Sequence, residues 1–110
     1  MVEAVQFELT DDQRAIRDMV REFATKEIRP VAAKHDREHS FPMATTRRMG
    51  ELGLLGITVP EKYGGPGADY ISFGLVAEEL CWGDASHGVI FGANASLSVG
   101  PIMAWGTEEQ

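Results

Sequence analysis

The side chains of this sequence with chemistry suited to a site are three histidines, one cysteine, two adjacent glutamates and a tight run of glycine and proline. His35, His39 and His87 suggest metal binding or acid-base work. His35 and His39 fall in a polar stretch, however, and no cysteine accompanies them at zinc spacing, so no metal site is expected. Gly64-Gly65-Pro66-Gly67 has the glycine density of a phosphate cradle. It lacks the Lys-Ser/Thr that follows in a P-loop and the strand that precedes a dinucleotide turn, which leaves a plain turn. Glu78 and Glu79 sit in an apolar helical stretch, where a buried carboxylate can become a general acid or base. More often such a glutamate accepts hydrogen bonds from backbone or from an arginine. Cys81 lies on an apolar stripe with no adjacent base and reads as a small core residue rather than a nucleophile. No Ser-His-Asp or Cys-His arrangement is evident from the spacings, and no residue is assigned a catalytic role.

The segment from His87 to Val99 is a different kind of candidate. Its apolar pattern demands a helix, yet Gly88, Gly92, Asn94, Ser96 and Ser98 are mediocre or poor helix formers. Such disagreement between local propensity and apparent structure concentrates at functional or strained sites. Val89, Ile90, Ala93, Asn94 and Leu97 fall at i, i+1, i+4, i+5 and i+8, hence on one face. Branched and small side chains mixed in this way suit the wall of a narrow apolar cavity, and they suit close helix packing equally well. The residues alone leave both readings open.

The elements that must position this face are helical. Thr10 with Gln13 three residues later is a capping box, and Asp11 and Asp12 face the positive end of the helix dipole. Ile16, Met19, Val20, Phe23, Ala24 and Ile28 then draw one apolar stripe at period 3.6, with Glu22 and Lys26 paired on the outer face. Pro30 is expected to kink or end this helix, although Val31 to Ala33 can continue it for a turn or two. Pro42 opens a second, short helix through Met43, Met49 and Leu52, ended by Gly53. Leu54 to Pro60 reads as buried extended chain, and Glu61 to Asp69 as a turn-rich loop dividing two helical halves. Tyr70 to Trp82 carries two apolar sets, Phe73, Val76, Ala77, Leu80 and Cys81, and Ile71, Leu75 and Trp82, so that helix is expected to be buried on most faces. Asp84 or Ser86 caps the next, Gly100-Pro101 breaks it, and Ile102 to Trp105 add a last turn. Thr107-Glu108-Glu109-Gln110 repeats the capping-box pattern with no helix behind it, which points to a truncated chain. The expected fold is all-α: a small, up-and-down-like bundle of about five to six helices with a Gly/Pro-rich central loop.

Composition bounds the functions open to such a domain. A chain of 110 residues is about one domain, and 44% hydrophobic residues suffice for a core. A formal charge of −7 argues against nucleic acid and anionic membrane surfaces, which require Lys and Arg. With Cys81 alone no disulfide framework exists, and a reducing compartment is expected. Met1 to Thr10 lacks the basic start and apolar stretch of an export signal. The most apolar stretch, Val89 to Val99, is too short for a membrane span.

Several stretches in order resemble the acyl-CoA dehydrogenase family. They are Leu9-Thr10-Asp11-Asp12-Gln13, then Gly53-Leu54-Leu55-Gly56-Ile57-Thr58-Val59-Pro60-Glu61-Lys62-Tyr63-Gly64-Gly65, then Ala77-Glu78-Glu79-Leu80. At the end come Ser96-Leu97, Gly100-Pro101-Ile102 and Gly106-Thr107-Glu108-Glu109-Gln110. The resemblance covers nearly the whole chain and implies that residues 1–110 are the N-terminal helical domain of a three-part flavoenzyme. In that family a middle β-domain holds much of the FAD site and a C-terminal helical domain carries the catalytic Glu. That Glu removes the α-proton of an acyl-CoA thioester while the β-hydrogen leaves as hydride to the flavin, giving a trans-2-enoyl-CoA. Neither Glu78 nor Glu79 matches that base, so this chain alone is expected to be inactive, and without the middle domain's flavin-binding segment it is not expected to bind FAD tightly. The resemblance further implies an acyl-CoA substrate, an electron-transfer flavoprotein or similar acceptor, and a homotetramer at full length. The implied location is the bacterial cytoplasm or the mitochondrial matrix. Val89, Ile90, Ala93, Asn94 and Leu97 match the helix that borders the family's acyl cavity and become substrate-contact candidates. Ala85 to Pro101 looks somewhat more like the short-chain members. The alternative is a stand-alone helical interaction module without catalysis. Cut away from two neighbouring domains, the chain should expose apolar surface and self-associate.

Overall fold

The computed structural model describes residues 4–110. The reading of the N-terminus as no export signal rests partly on Met1, Val2 and Glu3, which lie outside the described residues. Those described are all helical and turn, with no strand among them. Four continuous helices build the fold: α1 over residues 11–38, α2 at Met43–Glu51, α3 at Tyr70–Gly83 and α4 at Ala85–Trp105.

The count is four rather than five to six because neither Pro30 nor Pro101 ends its helix. Each follows a wide π-type stretch, Ala24–Ile28 in α1 and Ala93–Val99 in α4. In both, the residue just before the proline donates five positions back, Arg29 N–H to Ala24 O and Gly100 N–H to Ala95 O. A proline ring inside an ordinary helix collides with the carbonyl four residues earlier. Widening the preceding turn relieves that collision, so the helix continues.

Thr10 forms the expected capping box: its hydroxyl accepts from Gln13 N–H at 3.2 Å, and Gln13 Oε1 accepts from Thr10 N–H at 2.9 Å. Gln13 also donates from Nε2 to Asp69, the N-cap of α3, at 2.9 Å. Further along, Arg21 of α1 meets Glu79 of α3, and Gly83 lies against Ala24 and Ile28. These contacts ascend together, so α1 and α3 run parallel. The up-and-down expectation fails here because α2 and its turns carry the chain back before α3 starts. Only Asp84 separates α3 from α4. With Cys81 facing Gly88 and Phe73 stacked on Phe91 at 4.8 Å, that pair is antiparallel.

Between α2 and α3 the expected extended chain is absent. Gly53 turns the backbone at φ 78°, and Leu54–Gly56 forms a single 3-10 turn. Ile57 N–H donates to Leu54 O and Val59 N–H to Gly56 O, so these groups are satisfied locally, without a partner strand. Leu54 and Ile57 are nonetheless buried, as their apolar character requires. They join Val20, Phe23, Ala24 and Ile28 of α1, Met49 of α2, Val76 and Leu80 of α3 and Phe91 of α4 in one core.

The result is a slab, 55 × 38 × 19 Å, about two helix layers thick. Its radius of gyration, 15.3 Å, exceeds the ~13 Å of a rounded domain of roughly 100 residues. A slab has two large faces and little interior. Hence Ile71 and Trp82, expected to be covered, are exposed, and Cys81 is exposed rather than core.

Candidate functional site

α4 starts at Asp84, whose extended backbone (φ −168°, ψ 121°) makes it the N-cap, while its carboxylate turns away from the backbone toward His87. His87 is wholly buried. Asp84 Oδ2 lies 2.7 Å from Nδ1, and Thr45 Oγ1 of α2 lies 2.6 Å from Nε2. The Thr45 hydroxyl also faces Pro42 O at 3.2 Å. A carboxylate only accepts, so Nδ1 carries a proton. The hydroxyl satisfies Nε2 in either protonation state, by donating to it or by accepting from it while donating to Pro42 O.

This is a hydroxyl–imidazole–carboxylate chain of the type used in nucleophilic catalysis, which the sequence spacings did not reveal. Its burial decides against that chemistry: Thr45 is 8% exposed and His87 0%, so no substrate reaches the hydroxyl. The chain instead ties α2 to the first turn of α4. The Asp84/His87 spacing of three was the legible half of the signal. Thr45, 42 residues from His87, was not legible at all.

Beyond His87 the helix presents two faces. Gly88, Phe91 and Ala95 are buried against the rest of the fold. A Cβ on Gly88 would stand 2.1 Å from Cys81 Sγ, so only glycine lets α3 and α4 come this close. Asn94 donates from Nδ2 to Leu55 O at 2.8 Å, which fixes the middle of the helix. Val89, Ala93 and Leu97 lie along the outer face, with Val89 69% and Leu97 77% exposed. The five sequence candidates therefore divide: Val89, Ala93 and Leu97 face outward, while Ile90 packs against the core and Asn94 is half-buried.

Val89 and Ile90 also line a cleft of about 880 Å³ between the end of α1 and the start of α4, with Ala32, His35, Phe41 and Asp84. His35 Nδ1 and Ser40 Oγ are 2.7 Å apart, which occupies that imidazole nitrogen. Among the described residues no three of His, Cys, Asp and Glu cluster as metal ligands. A second cleft of about 400 Å³ lies where Val59 and Tyr63 meet Val99, Ile102 and the C-terminal residues. There Tyr63 OH donates to Glu108 at 2.6 Å.

Of the paired glutamates, Glu78 is exposed and Glu79 is buried. Glu79 accepts from Arg21 Nε, as expected of a buried glutamate with an arginine in reach, and that bond raises the Arg21 guanidinium above its ordinary pKa. Arg21 and Arg29 both lie over the Trp82 ring, 3.9 and 4.4 Å from its centroid. Among the described residues every buried side-chain nitrogen and oxygen has a partner.

Running through Pro101 makes α4 longer than the sequence suggested. It includes an 18-residue window of mean hydropathy 1.2, long and apolar enough to cross a membrane by length and composition alone. The expectation that no stretch was long enough is corrected to that extent.

Residues 10–110 match the family model described as acyl-CoA dehydrogenase, N-terminal domain. The chain is 47% identical over 103 residues to the mitochondrial short-chain specific acyl-CoA dehydrogenase of Bos taurus, covering 94% of this chain and 25% of that protein. It is 48% identical over 106 residues to a probable acyl-CoA dehydrogenase of Bacillus subtilis (strain 168), covering 96% and 28%. Among solved structures, butyryl-CoA dehydrogenase from Megasphaera elsdenii superposes with TM-score 0.90 at 31% identity, covering 96% of this chain and 28% of that one. A chain in a structure reported for the electron transferring flavoprotein of Acidaminococcus fermentans superposes with TM-score 0.92 at 43% identity, again covering 96% and 28%. The chain thus spans about a quarter of the length of the relatives it matches.

Proposed function

The chain belongs to the family of acyl-CoA dehydrogenase N-terminal domains, and from that premise we propose that it forms one wall of the acyl pocket in a longer, FAD-dependent acyl-CoA dehydrogenase. The longer protein converts acyl-CoA thioesters to trans-2-enoyl-CoA and passes electrons to an electron-transfer flavoprotein or a similar acceptor. It works as a homotetramer in a reducing compartment, the bacterial cytoplasm or the mitochondrial matrix. Residues 1–110 are its N-terminal helical domain, followed by a β-domain and a C-terminal helical domain.

The observation that carries the reading is the division of α4 into two faces. One face is packed and hydrogen-bonded, and the other is an exposed row of Val89, Ala93 and Leu97. Branched and small apolar side chains on a rigidly held helix are what a narrow alkyl chain packs against, and such surface is costly to leave in water. Ile90 and Asn94 flank the row, Ile90 at the cleft and Asn94 through its anchor to Leu55. The relatives' short-chain names favour a short acyl group at this wall. The exposed apolar row is ascribed to the acyl pocket of the longer protein rather than to a bilayer.

Tight binding of FAD by residues 1–110 alone is not expected, because the family places much of the flavin site in the middle β-domain. The flavin and the catalytic base are therefore assigned to the remainder of the longer protein, and no residue here receives a catalytic role.

Two measurements test this. The coding region is expected to continue beyond Gln110 into a β-domain, and a natural stop codon there would sink the proposal in favour of a stand-alone helical module. In the longer protein, Leu97→Ala is expected to change the ratio of kcat/KM between long and short acyl-CoA substrates, and an unchanged ratio would remove α4 from the pocket wall.

A further inference from the structure

α4 is held against rotation by two polar anchors on one face. At its first turn His87 is bonded at both ring nitrogens, to Asp84 at 2.7 Å and to Thr45 at 2.6 Å. Seven residues later Asn94 is bonded to Leu55 O at 2.8 Å. Phe91, between them in sequence, is wholly buried. An imidazole bonded at both ends cannot turn or slide without leaving a buried polar group unpaired, which is costly. The reach of the outer face is sensitive to such movement. Side-chain tips stand about 5–6 Å from a helix axis, so a rotation of about 10° displaces them by about 1 Å, close to the length of one methylene.

We infer that Thr45, His87 and Asp84 form a buried positioning relay that fixes how far the Val89–Ala93–Leu97 face projects, and thereby sets the acyl chain length accepted there. The inference rests on the reading of α4 as an acyl-pocket wall. Within the relay, Thr45 is the distant member: its hydroxyl joins α2 to α4 and also faces Pro42 O. His87 and Asp84 supply the geometry at the first turn, two residues before Val89 and beside the cleft that Val89, Ile90 and Asp84 line together. None of the three touches the acyl group, so all act through α4.

The test uses the full-length holoenzyme with straight-chain acyl-CoA thioesters from butyryl to decanoyl. Thr45→Val removes the hydroxyl from Nε2 while keeping a β-branched side chain. It is expected to shift the long-to-short ratio of kcat/KM by about tenfold, the scale on which one methylene is discriminated in an apolar pocket. The shift should fall mainly on KM, with kcat for the best substrate little changed, and Thr45→Ser should restore the parent profile. A purely structural role would lower thermal stability without altering the ratio. Should Thr45→Val not fold, Asp84→Ala, at the more exposed end of the relay, is expected to shift the ratio in the same direction by less. Leu97→Ala separates this inference from the reading beneath it. A changed ratio in Leu97→Ala with unchanged ratios in folded Thr45→Val and Asp84→Ala overturns the relay and leaves the wall standing. Unchanged ratios in all three overturn both.

Discussion

Gln13 Nε2 donates to Asp69 Oδ2 at 2.9 Å, so the side chain that completes the capping box of α1 also reaches the N-cap of α3. One glutamine, 5% exposed, thus aligns the starts of two parallel helices. Gln13→Ala is expected to lower stability by about 0.5–2 kcal/mol, the scale of a lost cap, as read from the urea midpoint. Gln13→Glu keeps an acceptor for Thr10 N–H but opposes two carboxylates at Asp69, so it too should fall below the parent. Parental stability in Gln13→Glu would show that the tie to Asp69 contributes nothing.

Asp69 links this junction to pH. Bonds from the Ser72 backbone, then from the Ser72 side chain and Gln13, hold its carboxyl below the usual carboxylate range. A depressed native pKa means that the unfolded chain binds the proton more readily. The stabilisation is therefore complete above the unfolded value of about 3.9 and is lost as pH falls through the native value. In acid titration of stability, Asp69→Asn should show a shallower decline than the parent below about pH 4. An equal slope in both proteins would contradict the assignment.

Glu79 is buried and its arginine is half-exposed, an asymmetry that orders three variants. Arg21→Met leaves a buried carboxylate unpaired and should unfold at the lowest temperature. The double variant Arg21→Met/Glu79→Leu removes the orphan and should recover part of the loss, since replacing both members of a buried pair is far milder than removing one. Arg21→Lys should sit near the parent in charge but lose the contact of the guanidinium with Trp82. Calorimetry of the three distinguishes this order from simple additivity.

Gly88→Ala tests the approach of α3 and α4. The added Cβ would stand 2.1 Å from Cys81 Sγ, an overpacking expected to cost about 1–3 kcal/mol. Removing the sulfur with Cys81→Ala should restore most of it, because alanine is also the better helix former by about 1 kcal/mol. A Gly88→Ala protein as stable as the parent would refute the close contact.

The slab shape predicts association. Phe7, Tyr70, Leu97 and Trp105 are each more than three-quarters exposed, at 91, 82, 77 and 84%. Apolar surface of this extent drives contact between copies. Sedimentation velocity of the isolated chain should show concentration-dependent oligomers, reduced by Leu97→Ser and Trp105→Ser. A monomer at all concentrations would count against the reading of these residues as surface that the longer protein covers.

Local chemistry in the sequence was enough to determine that the chain is helical, where α1 begins, and most of its buried stripe, although Met19, expected in that stripe, is exposed. The capping pair Thr10/Gln13 and the spacing of Val20, Phe23, Ala24 and Ile28 act within a few residues. The face of α4 was legible only in part: of the five residues that the period placed together, Val89, Ala93 and Leu97 face outward while Ile90 and Asn94 turn inward. What the sequence could not settle was every relation between distant segments. Pro101 read as a break and Pro30 as a kink or an end, because their cost is local while the π-type turns that relieve it depend on the surrounding packing. The parallel course of α1 and α3, the exposure of Trp82, and the bond between Thr45 and His87 join residues that are far apart along the chain. Hydrogen bonds and burial are satisfied in three dimensions, so only the tertiary structure decided which histidine was a lone side chain and which was the anchor of a helix.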